Sequence, residues 1–247
     1  MALSSYKLTS LLQGRKIVIK NETGSTNADL IEEVRSGLAD VGDVIAAERQ
    51  SAGCGRHGKS FASPKGGIYA SFCVNNIEYG LSTVICGVAV ARVLEKCGCK
   101  PAIKWVNDVL LDGRKVCGIL AKSVGDGRRA VMGFGINIHE SDIPEELRGT
   151  ATALDAHIGT GFSREEIIAD VIREYEKLSG LNARGESGEI IKEYESRMTF
   201  LGKKIKVLGT GEILTALGVN ADGSLSAINS KGEKVSLSSG EISVRPA

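Results

Sequence analysis

Residues that can bind an anion are concentrated in a glycine-rich, basic segment between positions 47 and 71. Its centre, residues 53–59, reads Gly-Cys-Gly-Arg-His-Gly-Lys. Glycine lets backbone N–H groups approach a ligand closely and the cationic side chains add charge, so such a loop can surround phosphate or carboxylate oxygens. Apolar runs before and after it predict one strand entering the loop and one leaving it. A solvated connection would have a similar composition, so the loop needs partners elsewhere in the chain.

Three short polar side chains, Ser25, Thr26 and Asn27, stand where a predicted strand gives way to a helix. Ser25 or Thr26 can cap that helix, which Gly37 ends. The same hydroxyl and amide groups can also contact a ligand that lies over the helix N-terminus. Both readings stay open from the sequence, and capping is the simpler one.

Charged and amide side chains interrupt the apolar run at residues 102–121, at Lys104, Asn107, Asp108 and Lys115. Such groups are costly inside strands unless they are paired or functional. One structural explanation is an ion pair between Asp108 and Lys115 at a sheet edge. The other explanation is a polar site built on the strands.

Gly133 and Gly135 interrupt a further predicted strand, at residues 128–139. Glycine inside a strand marks either a bulge or the close approach of a ligand or another chain segment. The sequence favours neither reading over the other.

The composition is that of a soluble globular protein: 247 residues, 42% apolar, 25% charged and a formal net charge of +1. A duplex-binding protein normally has a strong basic excess, so any anion site must be local. The six cysteines are scattered through apolar runs, which favours buried thiols in a reducing compartment. No apolar stretch approaches the ~20 residues of a membrane span or forms a signal segment. We therefore expect a cytoplasmic protein with no membrane partner.

Hydrophobic periodicity predicts an α+β architecture in two parts. Residues 1–198 are expected to form the main domain, and residues 199–247 a small β-barrel. Strands are predicted at residues 16–20, 41–48, 68–74, 102–111, 115–121 and 128–139. Helices are predicted from Ser25 or Thr26 to Gly37 and at residues 81–97, 153–157, 163–178 and 186–198. The barrel strands are predicted at residues 204–208, 212–219, 225–229, 234–237 and 241–244.

These motifs, taken in order, resemble those of the biotin protein ligases. The matching stretches are Gly-Ser-Thr-Asn at residues 24–27, Gln-Ser-Ala-Gly-Cys-Gly-Arg-His-Gly-Lys at 50–59, and Phe-Ala-Ser-Pro-Lys-Gly-Gly-Ile-Tyr-Ala-Ser at 61–71. They continue with Lys-Trp-Val-Asn-Asp at 104–108, Lys-Val-Cys-Gly-Ile-Leu at 115–120 and Gly-Phe-Gly-Ile-Asn at 133–137. The resemblance spans almost the whole chain. It implies a mixed β-sheet flanked by helices, of the class II synthetase type, with a C-terminal SH3-like barrel.

The resemblance also implies an activity, in which ATP activates biotin as biotinyl-5′-AMP and biotin is then attached to a lysine of a biotin carboxyl carrier protein. Mg²⁺ is expected with the ATP, and Asp108 is its candidate ligand. Arg56, Lys115 and Asp108 are the expected catalytic residues. The expected biotin contacts are Ser25, Thr26, Asn27, Gln50, Gly53, Cys54, Gly55, Arg56, Lys115, Gly118, Gly133 and Gly135. The expected ATP contacts are Arg56, His57, Gly58, Lys59, Asn107, Asp108, Lys115 and Asn137.

The sequence departs from the family pattern at four positions. Cys54 and His57 stand where arginines are frequent, Phe61 stands for a tryptophan, and Val106 for a proline. Loss of charge at His57 is expected to weaken triphosphate binding or adenylate retention, while a loop acting through backbone N–H groups tolerates Cys54. The sequence starts at the catalytic domain, without the helix-turn-helix region of the bifunctional members, so no DNA binding is expected. An exposed sheet edge would suit a homodimer.

Three other functions fit parts of the pattern. A lipoate or octanoate ligase or transferase has a similar fold, but an alkyl chain does not need the polar set at residues 25–27 and 50. A biotin sensor without turnover would not need both Lys115 and Asp108. A peptide-binding SH3-like scaffold would need clustered aromatic residues that the C-terminal part lacks.

Overall fold

A computed structural model describes residues 2–75, 79–125, 127–238 and 244–246 of the chain. It contains a seven-stranded mixed sheet with helices packed on it and a separate five-stranded antiparallel sheet near the C-terminus. The helices are α1 (Ser5–Leu11), α2 (Thr26–Arg35), α3 (Tyr79–Lys96), α4 (Asp155–Ile158), α5 (Arg164–Ala183) and α6 (Ser187–Ser196). No helix of the described residues is both long enough and apolar enough to cross a membrane.

The large sheet has the strand order β1-β2-β3-β7-β6-β5-β4. Its strands are β1 (Ile17–Lys20), β2 (Val44–Ala47), β3 (Ile68–Asn75), β4 (Ala102–Lys104), β5 (Asp108–Leu111), β6 (Arg114–Val124) and β7 (Arg129–Ile136). Only β1 and β2 run parallel, and the other neighbours are antiparallel. The glycine-rich segment leaves the sheet at the end of β2 and returns to it at β3.

The small sheet has the order β11-β10-β9-β8-β12. Its strands are β8 (Lys204–Val207), β9 (Ile213–Val219), β10 (Leu225–Ile228), β11 (Lys234–Leu237) and β12 (Val244–Pro246). The alternating burial of β8 shows one face turned to a core and one to solvent. Closure into a barrel stays a prediction, and most of the strand expected at residues 241–244 lies outside the described residues.

The large sheet is apolar because helices pack on both of its faces. Helix α3 is buried along most of its length and packs against α5, α6 and strand β6. Helix α2 covers the other face of the sheet with a smaller cluster that includes Leu30, Ile45 and Val131. The sheet is therefore covered on both faces, and its polar residues stand out as candidates for a site.

The prediction of one strand at residues 102–111 is wrong. The chain reverses between β4 and β5, so that Lys104 pairs with Asp108. The peptide bond between Trp105 and Val106, inside this reversal, is cis. Trp105 donates its Nε1–H to the carbonyl oxygen of Gly223 in the turn after β9, at 3.1 Å. Sequence periodicity missed the reversal because the turn residues Trp105 and Val106 are themselves buried and apolar.

One further difference concerns the N-terminus. No element is predicted before residue 16, yet the first residues contain α1, whose N-terminal Ser4 accepts a hydrogen bond from the N–H of Lys7. At the start of α5, Ser163 accepts a hydrogen bond from the N–H of Glu166, as in a capping box. Strands β5 and β6 form a hairpin whose turn contains Asp112 and Gly113.

Candidate active site

The polar residues at the start of α2 are buried rather than spread over the helix surface. Ser25, Thr26 and Asn27 are 9%, 4% and 6% exposed. Ser25 occupies the N-cap position, but its side chain makes no capping hydrogen bond. The prediction that these side chains cap the helix is therefore wrong for Ser25, and the three side chains face a cavity beside β3, β6 and β7.

A chain of hydrogen bonds connects α2 to the segment after the glycine-rich loop. The N–H of Thr26 donates to Oε1 of Gln50 at 2.9 Å, and Nε2 of Gln50 donates to Oγ of Ser63 at 3.0 Å. Ser63 in turn donates to the carbonyl oxygen of Phe61 at 2.9 Å. These bonds fix which end of the Gln50 amide is oxygen and which is nitrogen, and so they set its donor and acceptor sides.

Asn27 is held in the same way by residues of the sheet. Its Nδ2 donates to the carbonyl oxygen of Leu120 at 3.0 Å, and its Oδ1 accepts from Oγ of Ser71 at 2.6 Å. Ser71 is fully buried in β3 and also lies 2.7 Å from Oγ1 of Thr26. Sequence reasoning missed Ser71, although a hydroxyl inside the apolar run at residues 68–74 was a usable signal.

The strand glycines make room for these side chains. Strands β6 and β7 pair in continuous register past Gly133 and Gly135, so the bulge reading is wrong. A Cβ at Gly133 would overlap Oδ1 of Asn27, and one at Gly135 would lie 2.5 Å from Cε1 of Phe61. At Gly118 it would lie 3.0 Å from Nζ of Lys115. Close approach of side chains explains all three glycines.

A β-bulge on β6, next to Lys115, changes the register between β5 and β6 and so determines which way the Lys115 side chain points. Val109 pairs with Cys117 and Leu110 with Lys115, so Val116 is the extra residue on β6. Nζ of Lys115 lies 2.6 Å from Oδ1 of Asp108, and these side chains are 31% and 22% exposed. The ion pair expected as the structural explanation is thus present. It does not sit at the sheet edge, because β4 lies outside β5.

The glycine-rich loop lies beside Asn107, next to β5, and hydrogen bonds between its own backbone groups hold its turns. The N–H of Phe61 donates to the carbonyl oxygen of Gly53 at 2.8 Å, and the N–H of Gly55 donates to that of Lys59 at 2.6 Å. His57 adopts a left-handed conformation with φ of 54°. Nη1 of Arg56 lies 3.5 Å from Oδ1 of Asn107, and burial lowers the pKa of Arg56.

Three cavities meet around these residues. The first, which we call the central cavity, has a volume of about 40 Å³ and is surrounded by the polar groups of α2, Gln50 and the strand glycines. The central cavity is much smaller than its two neighbours. The ring of Phe61 takes up part of the space, because it lies against Gly118 and Gly135.

The second, which we call the apolar-walled cavity, has a volume of about 530 Å³. It shares two lining residues with the central cavity, Phe61 and Lys115. Polar groups lie at Lys104, Asp108 and Asn137, and the opposite wall comes from the segment 138–151. The sequence predicts no element between the strand at residues 128–139 and the helical turn at 153–157, since the contribution of this segment depends on where it folds back.

The third, which we call the interdomain cleft, has a volume of about 750 Å³ and lies between the glycine-rich loop and the small sheet. It shares Cys54, Gly55, Ile119 and Leu120 with the central cavity. Arg56, His57 and Gly58 line the cleft, whereas Lys59 is exposed and lines none of these three cavities. The structure therefore divides the residues expected around ATP among different cavities.

Metal ligands are sparse. The described residues include no group of three or more His, Cys, Asp or Glu side chains that could hold a metal ion. Asp108 is accordingly a single carboxylate beside cationic groups. Such a carboxylate suits Mg²⁺, which is commonly held by one or two carboxylates together with substrate phosphates and water.

Comparison with known proteins covers both sheets. The model of the "Biotin/lipoate A/B protein ligase family" matches residues 20–138, and that of the "Biotin protein ligase C terminal domain" matches residues 200–245. The bifunctional ligase/repressor BirA of Escherichia coli is 30% identical over 99% of this chain and 79% of its own length. The biotin–[acetyl-CoA-carboxylase] ligase of Mycobacterium tuberculosis is 31% identical over 78% of this chain and 74% of its length.

A solved structure gives the same result for the fold. The biotin protein ligase of Aquifex aeolicus in complex with biotin and ATP matches with a TM-score of 0.84 and 28% identity. The match covers 94% of this chain and 99% of that one. The order of elements and the separate C-terminal sheet are therefore shared with a protein that binds both ligands.

Proposed function

Since this chain belongs to the biotin protein ligases, we propose that it activates biotin with ATP as biotinyl-5′-AMP and transfers biotin to a lysine of a biotin carboxyl carrier protein. It is a biotin–[acetyl-CoA-carboxylase] ligase, which releases pyrophosphate in the first step and AMP in the second. The observation that carries the proposal is the junction of the central and apolar-walled cavities at Lys115, because two anionic substrates must meet beside a cation.

Biotin fits the central cavity by its chemistry. A ureido ring offers two N–H donors and one carbonyl acceptor. The surrounding side chains of Ser25, Thr26, Asn27, Gln50 and Ser71 provide both kinds of partner. Because the Phe61 ring lies against Gly118 and Gly135 and narrows this cavity, biotin binding must displace the ring. The biotin carboxylate then points towards Lys115.

ATP fits the apolar-walled cavity. Its cationic end contains Lys104 and Lys115, which suit phosphate oxygens. Its apolar end contains Ile138, Ile143 and Pro144, which suit the faces of a purine. The amide of Asn137 donates to the carbonyl oxygen of Thr152 at 3.0 Å, so its side-chain oxygen is oriented as an acceptor.

Catalysis of the first step is mainly electrostatic and positional. The biotin carboxylate attacks the α-phosphorus, a new C–O–P linkage forms, and pyrophosphate leaves with the bonding pair. Lys115 stands where the two anions approach each other, and Arg56 adds charge from the loop. Mg²⁺ held by Asp108 and the phosphates would further neutralise the triphosphate. No protein nucleophile is required.

The loop protects the product. Biotinyl-5′-AMP is a mixed anhydride that water hydrolyses, so an ordered loop over the junction lengthens its lifetime. Cys54, Gly55 and Arg56 stand at the edge of the central cavity or the cleft beside it. His57 and Gly58 line the cleft and Lys59 lines none of the three cavities, so these three residues act on loop closure rather than directly on ATP in the apolar-walled cavity. Side-by-side pairing of two chains through a sheet edge stays a prediction.

The test is biotin-dependent exchange of labelled pyrophosphate into ATP, with lipoate and octanoate in parallel and with Mg²⁺ present or chelated. Exchange with biotin alone is the expected result. Exchange with lipoate or octanoate, and not with biotin, would mean that the protein is a lipoate or octanoate ligase. Biotin binding without exchange by any acid would mean a sensor without turnover.

A further inference from the structure

One guanidinium group contacts both ends of the glycine-rich loop. The loop, residues 49–66, leaves the large sheet after Glu48, which follows β2, and rejoins it at Gly67, which precedes β3. Nη1 of Arg164, the first residue of α5, donates to Oε2 of Glu48 at 3.1 Å and to the carbonyl oxygen of Gly67 at 3.0 Å. The N–H of Gly66 also donates to the carbonyl oxygen of Glu48, at 3.3 Å. Arg164 therefore connects the two ends of the loop from a helix that is not part of it.

The pair of Arg164 and Glu48 is buried and bidentate. Nη2 of Arg164 donates to Oε1 of Glu48 at 3.2 Å, beside the bond from Nη1 to Oε2, so the planar guanidinium faces the carboxylate. The two side chains are 11% and 4% exposed. The N–H of Leu3 also donates to Oε1 of Glu48. Solvent screens such a pair weakly, and loss of one partner leaves the other as an uncompensated buried charge.

The contacts continue from Gly67 towards the central cavity. Tyr69 donates its hydroxyl to the carbonyl oxygen of Pro64 at 2.8 Å, and its ring lies edge-on to that of Phe61, with centroids 6.5 Å apart. A Cβ at Gly67 would lie only 2.2 Å from the hydroxyl oxygen of Tyr69, so these residues are packed tightly. A shift of Gly67 would therefore be passed on to Phe61.

Arg164 and Glu48 themselves line none of the three cavities. They can affect a substrate only through the loop, whose entry carries Gln50 and whose exit carries Phe61, both beside the central cavity. We propose that Arg164 is a positioning residue that fixes both ends of the glycine-rich loop and so favours the closed loop over open conformations. Holding the ends together removes the entropy cost of bringing them together each time the loop closes.

The consequence for the reaction rests on the proposed function. A closed loop retains biotinyl-5′-AMP, whereas the ion pair of Lys115 and Asp108 belongs to strands β6 and β5 and does not depend on Arg164. Bound substrates also favour the closed loop, so saturating concentrations should offset much of the loss of Arg164. A change at Arg164 should therefore raise the KM for biotin and speed adenylate release, while kcat changes little.

The test uses Arg164→Lys and Arg164→Met. Lysine keeps the charge but cannot offer the planar fork that serves Glu48 and Gly67 together, and methionine removes the charge. The matched control is Arg92→Lys, because Arg92 forms a similar bidentate pair with Glu193, at 2.9 and 2.6 Å, on helices away from the loop. Thermal unfolding measures the cost of each change to the fold.

Three further measurements follow the loop. Limited trypsin digestion without ligands reports its opening, since Lys59 and Lys65 are exposed cleavage sites within it. The dissociation rate of synthetic biotinyl-5′-AMP reports retention. Biotin-dependent pyrophosphate exchange gives kcat and the KM for biotin. The first measurement does not depend on the proposed function, whereas the other two do.

We expect both Arg164 variants to be cleaved after Lys59 and Lys65 about tenfold faster and to release the adenylate about tenfold faster, with kcat within about threefold of the wild type. Arg92→Lys should lower the unfolding temperature but keep wild-type cleavage and release. Wild-type cleavage and release in Arg164→Lys would overturn the proposal, and so would equal acceleration in Arg92→Lys, which would indicate general destabilisation. Faster cleavage of the Arg164 variants, with no exchange in the wild type, would refute the proposed function and leave the role of Arg164 in the loop standing.

Discussion

Nζ of Lys115 lies 2.6 Å from Oδ1 of Asp108 and 5.4 Å from the centre of the Phe61 ring. These two contacts hold the cation at the junction of the central and apolar-walled cavities before any substrate is present. A carboxylate and a phosphate arriving at the junction both compete with Asp108 for the same ammonium group. Lys115 can therefore be placed in advance without being left as an unpaired charge.

Lys115→Ala should lower the rate of biotin-dependent pyrophosphate exchange by about 10²- to 10³-fold, because it removes the charge at the point where two anions meet. Biotin affinity should fall much less. Lys206→Ala, at an exposed position of β8, is the matched control and should keep the wild-type rate. Exchange at the wild-type rate in Lys115→Ala would remove this residue from the catalytic step.

Gly133→Ala should abolish biotin binding, because a Cβ at this position overlaps Oδ1 of Asn27 and displaces the amide. Overpacking of this kind also costs about 1–3 kcal/mol of unfolding free energy. Calorimetric biotin titration and thermal unfolding measure the two effects separately. Gly161→Ala is the control, since a Cβ there has no heavy atom within 4 Å. Normal biotin affinity in Gly133→Ala would show that Asn27 does not contact biotin.

Phe61→Ala should increase the association rate of biotin. The ring lies against Gly118 and Gly135 and narrows the central cavity, so entry of biotin requires the ring to move. A binding-competent form populated at about 10% slows binding about tenfold, and removal of the ring should abolish that delay. Stopped-flow binding measures this rate, and Phe162→Ala, outside the three cavities, is the control.

The same variant should release or hydrolyse biotinyl-5′-AMP sooner, because the wall between the two cavities is lost. Phe61→Trp keeps an aromatic ring and should preserve the adenylate. An unchanged association rate in Phe61→Ala would mean that the ring does not limit entry.

Thiol reactivity should single out Cys54. It is the exposed cysteine among the described residues, whereas Cys73 is buried and burial raises its pKa to about 11. A raised thiol pKa means less thiolate at any pH below it, so Cys73 should stay unreactive between pH 7 and 9 in the native protein. A disulfide reagent should therefore modify one fast thiol, which Cys54→Ser removes.

Biotin and ATP together should slow modification of Cys54, which lines both the central cavity and the interdomain cleft. Equal rates of Cys54 modification with and without biotin and ATP would mean that the loop does not cover Cys54 when the ligands bind. Several fast thiols in the native protein would contradict the lower exposure of the other five cysteines, of which four are buried and Cys97 is partly buried.

The motifs at residues 24–27, 50–59, 104–108 and 133–137 could be recognised in the sequence because their residue types are unusual where they stand. Polar side chains inside apolar strands, and glycines inside a strand, both oppose the local preference for a regular strand. Such disagreements are expected at functional sites. The strands and the longer helices followed from periodicity. Among the described residues their positions were confirmed except between residues 102 and 111, where the chain reverses through buried apolar residues, and the strand predicted at residues 241–244 stays untested for the most part.

The sequence by itself determined the family, the two-part architecture and the chemical types at the site, because these depend on residue order and local pattern. Only the tertiary structure decided which groups meet. The pairing of Ser71 with Asn27 joins residues 44 positions apart, and the bond from Trp105 to Gly223 spans 118. The small central cavity and its two neighbouring cavities likewise depend on contacts between distant segments, and no local pattern records which distant segments fold together.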